Sequence, residues 1–323
     1  MLFPGIGVGG FSGGSGPGLG KHRIMACFDT IYVSHDYGAT WSATYTGSTN
    51  IGQSTQITVS ETGQYVLFFA YTLGVRFSSD YGDTWTVLGT GTYQWKEGSI
   101  SKSGQYITLM KNDNTLWVST DYGQTLTNVA TLSYGSNGYS LSISATGQYQ
   151  IFCTGSGGSG YYVYKSSNYG ATWGISSVYD GSWHYIGYTA ISDSGQYMML
   201  GSSNNVDVIW VSSNYGASWN KITAVTTTDY HFVAMSKTGQ YMAALGLNYG
   251  YYWYSSDYGV TWNKHSLLYN KGQKTITMDE SGQTHITTGQ TGSVYQSDDY
   301  GVSFQNIIPQ QVFYAFDMTK KIE

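Results

Sequence analysis

The stretch SSDYGDTW, Ser78 to Trp85, poses the question on which the fold turns: an acid set between a hydroxyl residue, a glycine and a tryptophan is either a catalytic group or a turn-building one. The phrase recurs as SHDYGATW from Ser34, STDYGQTL from Ser119, SSNYGATW from Ser166, SSNYGASW from Ser212, SSDYGVTW from Ser255 and SDDYGVSF from Ser297, seven copies in all. Their third residues, Asp36, Asp80, Asp121, Asn168, Asn214, Asp257 and Asp299, stand 41 to 47 residues apart. A period of that size matches four short strands, one blade of a propeller.

A second phrase interleaves with the first: SETGQY from Ser60, SKSGQY from Ser101, SATGQY from Ser144, SDSGQY from Ser192, SKTGQY from Ser236 and the weaker DESGQT from Asp279. There are six of these, not seven. The shortfall is explained if YAFDMTKK, from Tyr314, leads into the missing turn and KHRIMACF, from Lys21, leads out of it. The two ends of the chain then share one blade and leave no open sheet edge. Between Gln56 and Leu88 the pattern reads as four strands, Gln56 to Ser60, Tyr65 to Ala70, Val75 to Ser78 and Thr84 to Leu88, divided by Gly- and Ser-containing turns. No segment carries a useful helical period. The expected fold is all-β, a seven-bladed β-propeller over residues 21–323, preceded by a Gly-rich arm over residues 1–20.

The repeated phrase has the logic of a turn. A short carboxylate or amide accepts hydrogen bonds from nearby backbone N–H groups, Gly82 and its counterparts permit a positive φ, and Trp41, Trp85, Trp173, Trp219 and Trp262 offer an apolar face to bury. Asn168 and Asn214 decide between turn and catalyst, because an amide keeps the acceptor oxygen and cannot titrate near neutral pH. Leu126 and Phe304 in the tryptophan position suit packing as well.

On these residues the chain resembles the Asp-box, or BNR-repeat, propellers, a superfamily that includes sialidases, xyloglucan-cleaving glycosidases, sortilin-type receptors and photosystem assembly factors. The resemblance implies a box at the turn between third and fourth strands, on the face opposite the ligand site. It also lets the enzymes be tested. Sialidases of this fold hold their substrate with three arginines, and this chain has only Arg23 and Arg76 and no Arg-Ile-Pro motif. A different glycosidase needs two carboxylates facing each other roughly 5 to 10 Å apart. Glu61 and Glu280 fall in box-face turns, so the alternative rests on Glu97 paired with Asp113 or another loop acid, Asp180, Asp207 or Asp229.

Composition narrows the remaining classes. Fourteen basic and nineteen acidic residues give a net charge of −5, which disfavours a nucleic-acid partner. Thirty-two tyrosines and ten tryptophans exceed what seven boxes use. Surplus aromatics and neighbouring polar residues in the loops away from the boxes, Tyr93, Trp95, Glu97, Tyr134, Trp183, His184, Tyr185, Tyr230, His231, Tyr249 and Tyr251, are the candidate ligand-binding set, because flat rings suit sugars and protein hot spots alike. The same rings also suit the gaps between blades. No cofactor and no metal are expected: the histidines are scattered, and Asp80 with Asp83 is the one box with a second acid at its sixth position. Aligning Lys21 with Gly63 places Arg23 at the Tyr65 position and puts Cys27 and Cys153 at equivalent places three blades apart, as free packed thiols.

Residues 1–20, MLFPGIGVGGFSGGSGPGLG, have no basic n-region and no continuous apolar core, so neither a signal peptide nor a membrane span is expected. Leu2, Phe3, Ile6, Val8 and Phe11 suit an arm that packs on a scaffold or another subunit. The expectation is a non-enzymatic recognition or structural propeller, an attachment component of a viral or phage-like particle at a virion or extracellular surface, binding a glycan or protein receptor through its loop face. A glycoside hydrolase and an intracellular assembly scaffold are the alternatives.

Overall fold

A computed structural model of the chain describes residues 22–27, 30–36, 40–46, 56–70, 74–89, 95–132, 137–156, 160–176, 186–202, 209–225, 231–246, 251–265, 273–289 and 294–308. Every regular element among them is a β-strand. In chain order the strands form seven antiparallel sheets, and within each sheet every strand pairs with its neighbours in sequence. The first sheet has three described strands, Arg23–Cys27, Thr30–Ser34 and Ser42–Thr46. The second is Gln56–Val59, Val66–Ala70, Gly74–Ser78 and Thr86–Leu88. The third is Trp95–Ile100, Ile107–Lys111, Thr115–Ser119 and Thr127–Thr131. The fourth is Asn137–Ile143, Gln150–Ser156, Gly160–Ser166 and Gly174–Ser176. The fifth is Ile186–Ile191, Met198–Ser202, Ile209–Ser212 and Asn220–Ile222. The sixth is His231–Met235, Met242–Gly246, Tyr252–Ser255 and Asn263–His265. The seventh is Gln273–Met278, His285–Gly289, Val294–Ser297 and Gln305–Ile308. The arm over residues 1–20 and the C-terminal strand from Tyr314 lie outside the described residues.

The sheets fall into two compact units that divide between Thr131 and Leu132, three sheets in the first and four in the second. In the second, fifth and sixth sheets the second strand is apolar on both faces, because a neighbouring sheet of the same unit covers each. Val66 and Phe68 pack with Ile24, Ile31 and Val33 of the first sheet. The intervening Leu67 and Phe69 pack with Ile100, Ile107 and Leu109 of the third. In the second unit Met198 and Leu200 join Ile151 and Cys153, while Met199 joins Met242, Ala244 and Trp253. A period of two in one strand thus serves two interfaces, and each fully buried side chain contributes roughly 1.5 to 3 kcal/mol. Cys153 is a buried free thiol, as expected; the side chain of Cys27 is not described.

Register corrects the alignment of the first sheet. Arg23 pairs with the box residue Ser34, as Val66 pairs with Ser78 and Met242 with Ser255. Arg23 therefore stands in the Val66 position and His22 in the Tyr65 position, one residue from where the sequence alignment puts them. Cys27 is equivalent to Ala70 instead of Phe69. One step in a strand moves every side chain to the other face.

Each of the six boxes from Ser78 onward is a two-residue turn with both central residues at positive φ, the geometry of a type I′ hairpin. In the second sheet Tyr81 has φ 63° and Gly82 φ 87°, and the Asp83 N–H donates to the Asp80 carbonyl at 3.2 Å. The glycine was expected there; the tyrosine was not, since a bulky residue in this region costs about 1 to 2 kcal/mol. Tyr122, Tyr169, Tyr215, Tyr258 and Tyr300 repeat it, with φ between 60° and 63°.

The compensation is a ring stack onto the neighbouring sheet. Tyr300 stacks on Tyr241 at 4.5 Å and Tyr258 on Tyr197 at 4.8 Å, while Tyr215 meets Tyr149 at 4.6 Å and Tyr122 meets Tyr65 at 5.1 Å with the rings tilted. Each lower ring comes from a GQY turn and lies over the glycine of the next such turn. A Cβ on Gly239 would sit 2.7 Å from the Tyr197 ring. Backbone bonds cross the same junctions, Glu61 N–H to Lys102 O at 2.8 Å, Asp193 N–H to Lys237 O at 2.8 Å and Lys237 N–H to Glu280 O at 3.0 Å. Surplus tyrosine is in this part a blade-joining device.

Candidate functional site

The box groups are committed to their own turns. Asp80 Oδ1 accepts from the Ser78 hydroxyl at 2.8 Å and the Thr84 N–H at 2.9 Å, and Oδ2 accepts from the Thr84 hydroxyl at 2.6 Å. Burial works to raise its pKa, but the bonds from Thr84 and Ser78 prevail and hold it below the ordinary aspartate value. Asp257 and Asp299 show the same balance, lowered against burial by their bonds to Thr261 and Ser303. Asp121 is lowered foremost by the Thr125 N–H.

In the two amide boxes one bond reverses and the turn survives. Asn168 Oδ1 accepts from the Thr172 N–H at 3.0 Å, while its amide donates to the Thr172 hydroxyl at 2.9 Å; Asn214 does the same with Ser218. In both kinds of box the side chain supplies an acceptor oxygen to the turn. The box tryptophans are less buried than expected. Trp41 is 40 % exposed, and Trp85, Trp173, Trp219 and Trp262 are half-buried. The Nε1 atoms of Trp85 and Trp219 donate across sheets to the hydroxyls of Thr44 and Ser176, and those of Trp173 and Trp262 to their own box carbonyls, Gly170 and Gly259.

At the other end of the strands lie the loop-face candidates. Tyr93, Tyr134, Trp183, His184, Tyr185, Tyr230 and Tyr249 fall outside the described residues, and His231 opens its strand with a side chain that is not described. Trp95, Glu97 and Tyr251 are placed, each half-buried. Glu97 lies in a strand instead of a loop, opposite Met110.

Trp95 begins a cluster of the third sheet. The Lys111 ammonium lies 4.7 Å from the Trp95 ring centre and 4.3 Å from that of Trp117, and the two indoles meet edge to face at 6.1 Å. Trp95 is seated on Gly89, where a Cβ would come within 2.7 Å of the ring. Its Nε1 is buried without a hydrogen-bond partner. Trp117 donates to the Thr115 hydroxyl at 2.9 Å, which in turn donates to Asp113 Oδ1 at 2.5 Å. That bond foremost, with the Thr115 N–H and the Lys111 charge, lowers the Asp113 pKa against some burial. A carboxylate held ionised in this way is a poor proton donor.

Tyr251 belongs to a similar cluster in the sixth sheet. The Lys264 ammonium stands 3.6 Å from the Tyr251 ring centre and 5.2 Å from that of the buried Trp253. Lysine stems laid over rings desolvate part of the cation; the Lys264 side chain is exposed, whereas Lys111 is buried. Such a group offers a hydrogen-bonding cation framed by apolar faces; it supplies no acid–base pair.

Comparison with known proteins agrees with this geometry. The BNR/Asp-box repeat family matches residues 32–43. YCF48 from Cyanidioschyzon merolae superposes with a TM-score of 0.65 at 13 % identity, covering 94 % of this chain and 98 % of that one. The fold is a seven-bladed Asp-box β-propeller. YCF48 bound to D1 peptide gives a TM-score of 0.61 at 12 % identity over 86 % of this chain and 90 % of that one. The GH74 enzyme of Niastella koreensis gives 0.48 at 14 % identity, with 86 % of this chain covering 61 % of the enzyme. No curated protein matches the sequence.

Sequence reasoning missed two features of this propeller. The left-handed tyrosines were hidden because tyrosine is not a residue associated with that conformation. The meeting of His22 with His35 was hidden by the one-residue error in aligning the first sheet.

Proposed function

We propose that this propeller is a non-catalytic recognition module that binds a protein segment or glycan through the ends of its blades opposite the boxes. The observation that carries the reading is Lys111, 8 % exposed, held between Trp95 and Trp117 at the loop end of the third sheet. A preformed cation framed by indoles suits a partner that brings backbone carbonyls, hydroxyls or a carboxylate beside an apolar group. A propeller of the same fold bound to a peptide supports a protein partner. Low charge and abundant neutral polar residues support a role at an exposed surface, as an attachment component of a virus-like particle anchored by residues 1–20.

The test uses the full chain on a glycan array and on a peptide array. The wild type is compared with Lys111→Ala, a Trp95→Ala and Trp183→Ala double variant, and the box-face variant Tyr258→Ala. Binding reduced at least tenfold in the loop-face variants, and retained by Tyr258→Ala, is the expected result. Folded protein that binds nothing on either array overturns the reading, as does release of a cleaved glycan.

A further inference from the structure

In a repeat protein, the places where one copy departs from the others mark what the repeat itself does not require. Three departures meet at the junction of the first and second sheets. His22 stands where the other GQY turns carry tyrosine, apart from Thr284. His35 is the second residue of its box, where the other boxes have Ser, Thr or Asp, and Asp83 is the sole acid at the sixth box position. The sequence separates them by 13 and 48 residues, and the fold brings all three into hydrogen-bonding contact.

The geometry is that of a prepared nitrogen pair. His22 Nδ1 and His35 Nδ1 face each other at 2.6 Å, with the rings edge to face at 4.8 Å. His35 Nε2 lies 2.8 Å from Asp83 Oδ1; the carboxylate accepts, so Nε2 carries the proton and the Nδ1 lone pair of His35 points at His22. His22 is seated over Gly63 and stacked on Tyr81 at 4.0 Å and 27°. Both rings are thus held from behind, one by a stacked ring and one by a carboxylate. A carboxylate on the outer nitrogen of an imidazole is the arrangement that orients and strengthens histidine ligands in metal sites.

We propose that His22 and His35 form a two-nitrogen chelate for one borderline divalent cation, zinc, nickel or copper, with Asp83 as the orienting carboxylate and water completing the coordination. Without metal, the His22 Nδ1–H donates to His35 Nδ1. Binding moves that proton to His22 Nε2, so two neutral imidazoles present lone pairs and no net proton is released at neutral pH. Zn–N bonds of 2.0 to 2.1 Å in tetrahedral geometry put the two nitrogens roughly 3.3 Å apart, so the 2.6 Å pair opens by about 0.7 Å. Among the described residues no three His, Cys, Asp or Glu side chains are arranged to hold a metal together. The site is accordingly open, with two protein ligands, and favours nitrogen-seeking metals over magnesium or calcium.

The test titrates untagged full-length protein with ZnCl2 by calorimetry, with MgCl2 as control, and adds NMR of the imidazole nitrogens. The expected result is one zinc per chain, no magnesium binding, and a tautomer change at His22. Affinity falls at least tenfold in His22→Gln and in His35→Gln, and about tenfold in Asp83→Asn. Melting temperatures without metal show whether each variant is folded, and Asp83→Asn, at an exposed position, serves if a histidine variant is not. Zinc binding that is equal in all variants, or weak and spread over several sites, overturns the proposal.

Discussion

His22 and His285 stand in adjacent slots of the repeat, His22 in the place of Tyr65 and His285 in the place of Val66. His22 is half-buried on a tyrosine face, with an imidazole and, beyond it, a carboxylate for company. His285 is fully buried. Its Nε2 donates to the Gly282 carbonyl at 2.8 Å, so Nδ1 accepts from the Tyr252 hydroxyl. Burial foremost pushes His285 down to about 4, against the Gly282 bond and the Asp299 charge, which raise it. Burial also raises Tyr252 far above the usual phenol value. One ring is placed to meet a metal and the other to refuse a proton. The difference teaches that register within the repeat, more than residue type, sets the chemistry of a departure from it.

The largest expected effect tests the buried ring. Above pH 6.5 His285 is neutral in both folded and unfolded chains, so its site is at full stability. Between 6.5 and about 4 the unfolded chain takes up a proton that the folded chain declines, and stability falls. Over that window the loss is on the order of 3 kcal/mol, and it levels off below pH 4. Gln150 occupies the same slot and donates to Gly147 O at 3.0 Å, so His285→Gln should keep the carbonyl bond and flatten the slope. Denaturant melts at pH 7, 5.5 and 4.5 check this; an unchanged slope in the variant would place the acid sensitivity elsewhere.

A smaller effect separates the two kinds of junction. Gly239→Ala must adopt φ +80° and displace the Tyr197 ring, with its Cβ at 2.7 Å, whereas Gly63→Ala at φ +77° meets only His22 Cβ at 3.6 Å. The first should lose about 2 to 3 kcal/mol and the second about 1. Equal losses in chemical denaturation would show that the stacked tyrosines give way freely. Next, Trp85→Ala should lose about 2 kcal/mol, less than the roughly 3 to 5 for an aromatic as deeply buried as Trp253, because Trp85 keeps one face in solvent. Thermal melting of both variants orders them. The smallest effect is at the box itself: Asn168→Asp and Asp257→Asn should each change stability by under about 0.5 kcal/mol, since either side chain keeps the Oδ1 acceptor. A large loss in either, read from the same melts, would mean that the second oxygen's charge matters.

Much of this was legible because the determinants repeat. Ser-x-Asp-x-Gly with its flanking Thr fixes a turn wherever it occurs, and four strands between turns leave little freedom in topology. The first sheet was misread because Lys21-His22-Arg23 has neither the Gly nor the Gln that marks the other turns, so nothing in the string fixes its phase. Tryptophan burial was overestimated because a box side chain can lie along a sheet edge as well as between sheets, and sequence does not distinguish the two. Trp95 was singled out as a loop-face candidate, but its lysine neighbour was not, since Lys111 comes from a strand that otherwise reads as uninterrupted core.

The peptide groups that cross from sheet to sheet have a sense of direction. Lys237 gives its N–H forward to Glu280 and receives with its carbonyl the N–H of Asp193 from behind, so polarised amides follow one another from sheet to sheet. Such a belt behaves as a one-dimensional cooperative array. Melting the seventh sheet strips an acceptor from the sixth, and that loss weakens the link to the fifth, so damage runs toward the N-terminal side of the unit. Protection of the Lys237 and Asp193 amides against solvent exchange would then decay in that order, like a row of fastenings opened from one end.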